Sequence, residues 1–440
     1  MITVLAYAPF AMISEIQIRN FKSIRDLTLK TGRVTVLIGE NGSGKSNILE
    51  AIAFAAGAAA NKLDNEFLAN RGIRVAEDKW MRSAFPEDDD GEQFTDQNKK
   101  RAENIQLVLK GAGLEPIFEC DVRARKIGTD RSFRRWVVSA PVWQKEVDAA
   151  FQQTAFAEEI AKALEDLKTQ QPEVLAQQTL DSLNHGARRE FEQALRRMLA
   201  NSLLRARKRA QLGEKAGVLG LADFMIYAPE NATLRTPPPE SAIQPLGTKG
   251  EGLIKLLQSF SDPKSSDHLS AMKENLRLFG WFDDLLAPDE AATAEARLQI
   301  RDRWLAPDRA VFDQRSANEG FLYLLFYFAL LMSKRTPRFF ALDNLDTALN
   351  PKLCSILMEK ITELANQNGK QVICTTHNPA ILDGLNLNDE EQRLYTVGRD
   401  SAGHTTVRRV HAPRPQPGEM PVRLSEAFMR GLIGGLPDNF

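Results

Sequence analysis

Hydrophobic and polar positions along the first third of the chain predict strands around one helix. Residues Ile13–Arg19 alternate in the manner of a half-buried strand, and Leu27–Lys30 is its expected hairpin partner. The apolar run Arg33–Ile38 leads directly into a glycine-rich loop, and a helix is expected from Lys45 to about Gly57. Three more strands are predicted, over Ile105–Leu109, Ile117–Val122 and Trp136–Ser139.

The middle of the chain has a helical pattern, and the last third returns to alternating strands and helices. The helical stretch runs from Trp143 to about Ala216, and shorter helical patterns follow at Gly252–Phe260 and His268–Leu278. In the last third we expect helices over 320–333, Pro351–Asn366 and Leu424–Leu432, and strands over Arg338–Leu342, Gln371–Thr375 and near Arg393–Val397. Strands that alternate with helices predict an α/β fold.

Composition agrees with a folded protein in a reducing compartment. The chain has 440 residues with 57 Lys and Arg against 58 Asp and Glu, so its net charge does not indicate a nucleic-acid partner. The three cysteines form no metal-binding spacing, and a cytoplasmic location is expected. The apolar run Gly320–Met332 is shorter than the ~20 residues that cross a bilayer, so a buried helix and no membrane partner are expected.

The glycine-rich loop carries the clearest chemistry in the sequence. Residues Gly39–Ser46 fit the pattern GxxxxGK[ST] between a strand and a helix, which predicts a phosphate-binding P-loop. Backbone N–H groups and the helix N-terminus would surround the phosphates of ATP. Lys45 would reach the β- and γ-phosphates, and Ser46 would bind Mg²⁺. The expected cofactor contacts are Gly39, Glu40, Asn41, Gly42, Ser43, Gly44, Lys45, Ser46 and Asn47.

A second metal ligand is expected at Asp343. The apolar strand Arg338–Leu342 ends at this residue, so its carboxylate would emerge at the edge of the sheet. An aspartate that merely ends a strand at a turn is the alternative. The sequence after it, together with Thr375–Asn378 behind the next strand, favours the metal site.

Several of these motifs together resemble a known family. Arg19–Ile24 before the P-loop, Asp343 with Leu349–Pro351, and Thr375–Asn378 are similar to the ATPase heads of the SMC, RecF and OLD group, which are ABC-type ATPases. The resemblance implies an ABC-ATPase head with a P-loop α/β core, an antiparallel β subdomain and a short helical insertion. It covers roughly residues 13–60 and 313–400.

The resemblance also implies roles for individual residues. Asp343 would be the metal ligand of the second motif, and His377 the switch histidine that senses the γ-phosphate. Leu345–Leu349 would touch a partner head. In such families a signature segment caps the ATP of a second copy, and here that segment is Ser316–Gly320, with expected contacts from Ser316, Asn318, Glu319 and Gly320. A homodimer or higher homo-oligomer follows from that arrangement.

Two departures from the family pattern affect the expected chemistry. Ala317 and Asn318 occupy signature positions where glycines are usual. Asn344 occupies the place of the glutamate that polarises the attacking water, and an amide cannot accept a proton. General-base catalysis contributes ~10²–10⁴-fold, so we expect slow hydrolysis. Asp346 is the nearby carboxylate that could serve instead, and Asn344 could still orient water.

The sequence patterns and the family resemblance together divide the chain into six expected segments. They are an N-terminal extension (1–12), the N-terminal part of the head with the β subdomain (13–142), a helical insertion (143–218), a linker and helical region (219–312), the C-terminal part of the head (313–410), and a tail with a final helix (411–440).

A dense basic stretch lies within the predicted insertion. A Lys and Arg stripe is what phosphate contacts with DNA require, whereas a solvated helix face with i,i+4 pairs is the equally plain alternative. The DNA-contact candidates are Arg196, Arg197, Arg205, Arg207, Lys208 and Arg209.

The leading functional prediction is an ATP-gated sensor or clamp in a bacterial DNA-related, anti-phage complex. The segment after His377 is too short for the Toprim nuclease domain of OLD proteins, so a separate effector, a nuclease or toxin, is expected. Alternatives are an ATP-stabilised scaffold with little hydrolysis and a DNA-repair ATPase. A transporter subunit and a small-molecule kinase fit the motifs less well.

Overall fold

A computed structural model describes most of the chain. It covers residues 12–83, 85, 104–111, 116–126, 134–139, 158, 185–236, 245–260, 266–288, 297–412 and 422–435. The N-terminal extension and most of the stretch 143–184 lie outside the described residues.

A six-stranded sheet forms the centre of the molecule, in the order β14-β13-β3-β12-β11-β7. Strands β3, β7, β11, β12 and β13 run parallel, and β14 is antiparallel to β13. The bounds are β3 Val34–Ile38, β7 Ile226–Tyr227, β11 Phe339–Leu342, β12 Gln371–Thr376, β13 Gln392–Arg399 and β14 Thr405–Val410. Every residue of β3, β11 and β12 is buried, as parallel strands covered on both faces require.

A five-stranded antiparallel sheet lies beside this core, in the order β2-β1-β4-β5-β6. Its strands are β1 Glu15–Phe21, β2 Ile24–Lys30, β4 Ile105–Lys110, β5 Pro116–Lys126 and β6 Arg134–Ser139. The alternation seen in the sequence is the burial alternation of these strands, with Ile16 and Ile18 buried while Arg19 is exposed. The predicted hairpin of β1 and β2 and the predicted α/β class are both confirmed.

Helices cover the central sheet. The described helices are α1 Lys45–Ala59, α2 Asn65–Ala69, α3 Asp78–Met81, α4 His185–Val218, α5 Asn231–Arg235, α6 Leu253–Gln258, α7 Ser266–Leu276, α8 Glu319–Met332, α9 Pro351–Gln367 and α10 Leu424–Met429. Every residue of α8 from Phe321 to Met332 is buried, which confirms the prediction of a core helix. Among the described helices, none is long and apolar enough to cross a membrane.

The expectation of only linker and helices over 219–312 was incomplete. A three-stranded antiparallel sheet in the order β10-β9-β8 lies there, formed by β8 Phe282–Leu286, β9 Gln299–Asp302 and β10 Val311–Phe312. In β8 the buried residues are Phe282 and Leu285, three positions apart, because the pairing with β9 shifts register between Phe282 and Asp284. A spacing of three between buried residues is typical of a helix, so the sequence pattern did not predict strand β8.

Candidate functional site

The predicted P-loop lies at the carboxyl edge of the parallel sheet. It joins the end of β3 to the start of α1, while Asp343 follows β11 and His377 follows β12. Parallel neighbours end at the same edge, so residues about 300 positions apart converge there. Ligands of open α/β sheets bind at this edge.

Glycine is required in the loop for two different reasons. Gly42 and Gly44 have φ values of 80° and 107°, a left-handed backbone that other residues adopt at a cost. At Gly39 and Gly44 a side chain would also collide, with the carbonyl oxygen of Val397 and with Thr405 respectively. The Ser43 hydroxyl is buried in this loop and has no hydrogen-bond partner within the described part of the chain. A loop shaped to receive a further polar ligand would show such a group.

Lys45 is buried within the loop. Its Nζ donates hydrogen bonds to the carbonyl oxygens of Gly39 (2.9 Å) and Glu40 (2.8 Å). Burial lowers the pKa of Lys45 to about 8, and the negative charge of Asp343 opposes that shift. Two carbonyl oxygens of the loop thus hold the ammonium group where a phosphate-binding lysine is needed.

Ser46 and Asp343 meet directly. The Ser46 hydroxyl donates to Asp343 Oδ2 at 3.1 Å, and Thr375 donates to Asp343 Oδ1. One hydroxyl and one carboxylate form a partial oxygen ligand set of the kind that Mg²⁺ completes with phosphate oxygens and water. These two residues would hold the metal, which would neutralise phosphate charge when bound.

Asp346 and His377 lie next to this pair. Asp346 Oδ1 accepts a hydrogen bond from the Thr376 hydroxyl (2.7 Å) and a longer one from the His377 backbone N–H (3.3 Å). The His377 ring donates to the carbonyl oxygen of Gly39, and burial, followed by the charge of Lys45, lowers the pKa of His377. This shift favours the neutral form of the imidazole.

Asn344 has an unusual backbone. It is exposed and has a φ of 55°, in the left-handed region that asparagine tolerates better than most residues. Its backbone N–H donates to the Thr375 hydroxyl at 2.9 Å. Asparagine at this position thus suits the left-handed turn.

The signature candidates Ser316–Gly320 lead into α8, which begins at Glu319. Asn318 caps the helix, since its side chain accepts from the Phe321 N–H at 2.7 Å. The Gly320 backbone packs against Ala348 and Leu349, and Glu319 is in the first helical turn. Ser316 and Asn318 are exposed in the single chain, so they are accessible to a second molecule.

Three residues outside the predicted set form hydrogen bonds that hold the backbone of the P-loop in place. Arg399 Nε donates to the Gly42 carbonyl at 2.9 Å, and the Thr405 hydroxyl donates to the Ser43 carbonyl at 3.1 Å. The Ser23 hydroxyl lies 2.6 Å from that of Thr405 and accepts from Asn47 Nδ2. No local sequence pattern indicates Arg399 or Thr405, because they reach the loop through the pairing of β13 with β3.

The DNA-contact candidates all lie on α4, away from the P-loop motif in sequence. At about 100° per residue, Arg196 and Arg207 share one side of the helix, Arg197 and Lys208 a second, and Arg205 and Arg209 a third. The basic residues therefore surround much of the helix instead of forming a single stripe.

Two family models match the chain. The one described as an AAA ATPase domain matches residues 12–197. The one described as an AAA domain, putative AbiEii toxin of a type IV TA system, matches residues 254–383. A 55-residue stretch is 44% identical to the DNA replication and repair protein RecF of Bacillus cytotoxicus, and it covers 12% of this chain and 15% of that protein.

Solved SMC heads are similar to the chain over most of its length. The head from Pyrococcus furiosus, with an extended coiled coil and bound to the C-terminal domain of ScpA, is 15% identical with a TM-score of 0.45, covering 91% of this chain and 96% of that one. The head from Thermotoga maritima is 15% identical with a TM-score of 0.40, covering 91% and 99%. These TM-scores are too low to add to the fold that the sheet order defines.

The P-loop sequence, the aspartate opposite it and the two family models all point to the same class of protein. The chain is similar to ATPases of the AAA type over residues 12–197 and 254–383, and it is similar to RecF over a short stretch.

Proposed function

We propose that the chain binds Mg²⁺ and ATP, hydrolyses ATP slowly and closes as a homodimer around it. The observation that carries this proposal is the direct contact of Ser46 with Asp343, next to the buried Lys45. Charge stabilisation and positioning supply most of the catalysis of phosphoryl transfer, and these side chains can supply both.

ATP binding and turnover of the purified chain test the proposal. Lys45→Ala removes the ammonium group, so we expect loss of fluorescent ATP-analogue binding, while wild-type protein binds and hydrolyses ATP. Lys62→Ala, an exposed lysine after α1, is the matched control and should behave as wild type. Unchanged nucleotide affinity in Lys45→Ala would contradict the assigned site.

Slow turnover is part of the proposal. Because Asn344 cannot act as a base, we expect kcat well below the ~10 s⁻¹ that is typical of enzymes. Asp346 is the carboxylate beside the site, but two N–H or O–H donors already occupy its Oδ1. A kcat of several tens per second would contradict the proposal of slow ATP hydrolysis by a clamp.

We propose a DNA-related role in a bacterial anti-phage system with a separate nuclease or toxin partner. Similarity to RecF, a DNA replication and repair protein, supports the DNA link. The family described as a putative AbiEii toxin supports a defence setting. Three buried free thiols fit a cytoplasmic location. DNA-stimulated ATP hydrolysis and altered phage sensitivity of cells that express the chain with its neighbouring genes would test this role.

A scaffold held together by ATP is the second candidate, and Asn344 is the observation that favours it. The two candidates differ in turnover. A dimer that forms with ATP and persists without phosphate release, with or without DNA, would favour the scaffold.

A further inference from the structure

A basic cleft lies beside β7 and β11 of the central sheet. The cleft has a volume of about 700 Å³, and its described lining includes the loop before β11, the strand β7 and the end of α4. Arg338 directly precedes β11, whereas Asp343 directly follows it. The cations of the loop before β11 and the candidate nucleotide site are therefore at opposite ends of this strand.

The cleft carries a strong excess of positive charge. Its lining includes the cations Arg71, Lys334, Arg335 and Arg338, and Asp223 is the one carboxylate among the described lining residues. Lys334, Arg335 and Arg338 are exposed to solvent. Such an excess in a concave surface concentrates anions.

Arg71 is held in a fixed orientation. Its guanidinium lies 4.1 Å from the centre of the Phe67 ring, and Nη2 donates to the Ala222 carbonyl at 2.7 Å. Its Nε is buried and has no hydrogen-bond acceptor among the residues that the structure describes. A buried, unsatisfied donor beside other cations is a feature that an anionic ligand would satisfy.

The loop that carries the other three cations is also rigid. Lys370 Nζ donates to the carbonyl oxygens of Ser333 (2.7 Å), Thr336 (2.9 Å) and Pro337 (3.1 Å) from beneath the loop. Burial, followed by the charge of Arg338, lowers the pKa of Lys370 to about 7 despite these acceptors. A loop already fixed in place loses little entropy on binding a ligand.

The end of α4 connects this cleft to the basic helix. Gly217 lines the cleft, and Arg209 lies eight residues earlier on the same helix, which is about 12 Å at 1.5 Å per residue. A nucleic-acid strand, with a rise of about 3.4 Å per nucleotide, would span that distance in a few nucleotides. A small phosphate compound could occupy the cleft but could not reach both groups of cations.

We propose that this cleft binds the phosphate backbone of a nucleic acid that continues along α4. The inference deepens the DNA-related role proposed above and assigns that role a surface. It does not depend on the P-loop chemistry.

DNA binding by the full chain tests the cleft. The variant Lys334→Gln, Arg335→Gln, Arg338→Gln removes three charges from its rim. The control Arg277→Gln, Arg309→Gln, Arg430→Gln removes three charges from exposed ion pairs elsewhere. Binding to a labelled DNA duplex is measured by fluorescence anisotropy over a range of salt concentrations. Thermal melting and ATP-analogue binding show that each variant is folded.

For the cleft variant we expect at least about tenfold weaker binding at low salt, and a salt slope smaller by about 0.9 for each phosphate contact removed. The control variant should keep most of the slope. Arg71→Met should weaken binding in the same direction. Equal affinity and equal slope in the cleft and control variants would overturn the assignment while leaving the DNA-related role intact.

Two other outcomes show whether the ligand of the cleft is a nucleic acid or a small phosphate compound. Wild-type protein that binds no DNA at any salt concentration would contradict both the DNA-related role and the cleft. Inorganic pyrophosphate binding to Lys45→Ala protein, lost in the cleft variant and unaccompanied by DNA binding, would assign the cleft to a small phosphate and overturn the nucleic-acid proposal.

Discussion

At the scale of single residues, the candidate site combines chemistry with backbone strain. Asn344 has a left-handed backbone with a φ of 55°, and its side chain cannot accept a proton. Ala348, four residues later, has a φ of 62°. The turn after β11 thus adopts conformations that cost most residues ~1–2 kcal/mol, and asparagine is among the residues that tolerate them best.

Replacing Asn344 by glutamate tests whether a missing base limits turnover. We expect Asn344→Glu to raise kcat by at least ~10-fold, since general-base catalysis is worth ~10²–10⁴-fold. The left-handed backbone should lower the free energy of unfolding by ~1 kcal/mol. Steady-state ATPase assays and urea unfolding measure the two effects. Asn344→Gln is the control, because its side chain has the length of glutamate but carries no carboxylate base. An unchanged kcat would indicate that Asp346 or positioning alone activates water.

The pKa of Lys45 makes nucleotide binding dependent on pH. Burial lowers this pKa from 10.5 to about 8 in the nucleotide-free protein. As pH rises through 8 the folded protein loses the ammonium charge, so ATP affinity should fall above pH 8 and be constant below pH 7. Between about 8 and 10.5 the unfolded chain binds more protons, so the Lys45 contribution to the free energy of unfolding should rise with pH.

Isothermal titration of an ATP analogue at pH 7 to 9.5 measures this dependence. Lys45→Arg keeps its charge throughout that range, and its affinity, although weaker, should be independent of pH. A flat profile for the wild-type protein would contradict the role of Lys45 deprotonation.

At the scale of elements, the hairpin of β13 and β14 supports the phosphate loop. Thr405, at the start of β14, fills the space beside Gly44 and donates to the Ser43 carbonyl. Arg399, at the end of β13, donates to Gly42. Two strands that the sequence pattern did not link to the P-loop therefore fix its backbone.

Removing the Thr405 hydroxyl should loosen the loop. Thr405→Val has nearly the same shape but leaves the Ser43 carbonyl without this donor, at a cost of ~1–3 kcal/mol for a buried group. We expect a several-fold higher KM for ATP together with lower thermal stability. Thr406→Val, on the exposed face of the same strand, is the control. A changed Tm with an unchanged KM would indicate a purely structural role for Thr405.

At the scale of the whole molecule, one chain presents only part of the proposed dimer site. Ser316 and Asn318 are exposed at the start of α8, and Gly320 packs on Ala348 and Leu349 in the turn that follows β11. This contact joins the signature candidate to the segment that the family resemblance places at the dimer surface. Closure on a second copy would therefore involve both segments at once.

A bulky charge at Ser316 should block that closure. For Ser316→Arg we expect normal ATP-analogue binding by the single chain, loss of the ATP-dependent dimer in light scattering, and at least ~10-fold slower hydrolysis, the loss expected when a transition-state contact is removed. Gln367→Arg adds the same charge at an exposed position on α9. A variant that still dimerises with ATP would rule out Ser316–Gly320 as part of the interface.

The sequence by itself determined the features that depend on neighbouring residues. The strand, glycine loop and helix from Val34 to Ala59 could be predicted because hydrophobic periodicity and glycine spacing are local signals. The paired strand ends at Asp343 and His377 could be predicted for the same reason. The strands of 282–312 could not, because a register shift gave β8 the spacing of a helix.

Only the tertiary structure decided which distant residues complete the site. Thr405 and Arg399 reach the P-loop because β13 pairs with β3 across more than 350 positions of sequence. Arg71 joins the loop before β11 in one cleft because β7 is the edge strand beside β11. Strand order in a parallel sheet is set by long-range packing, which no local pattern of the chain contains.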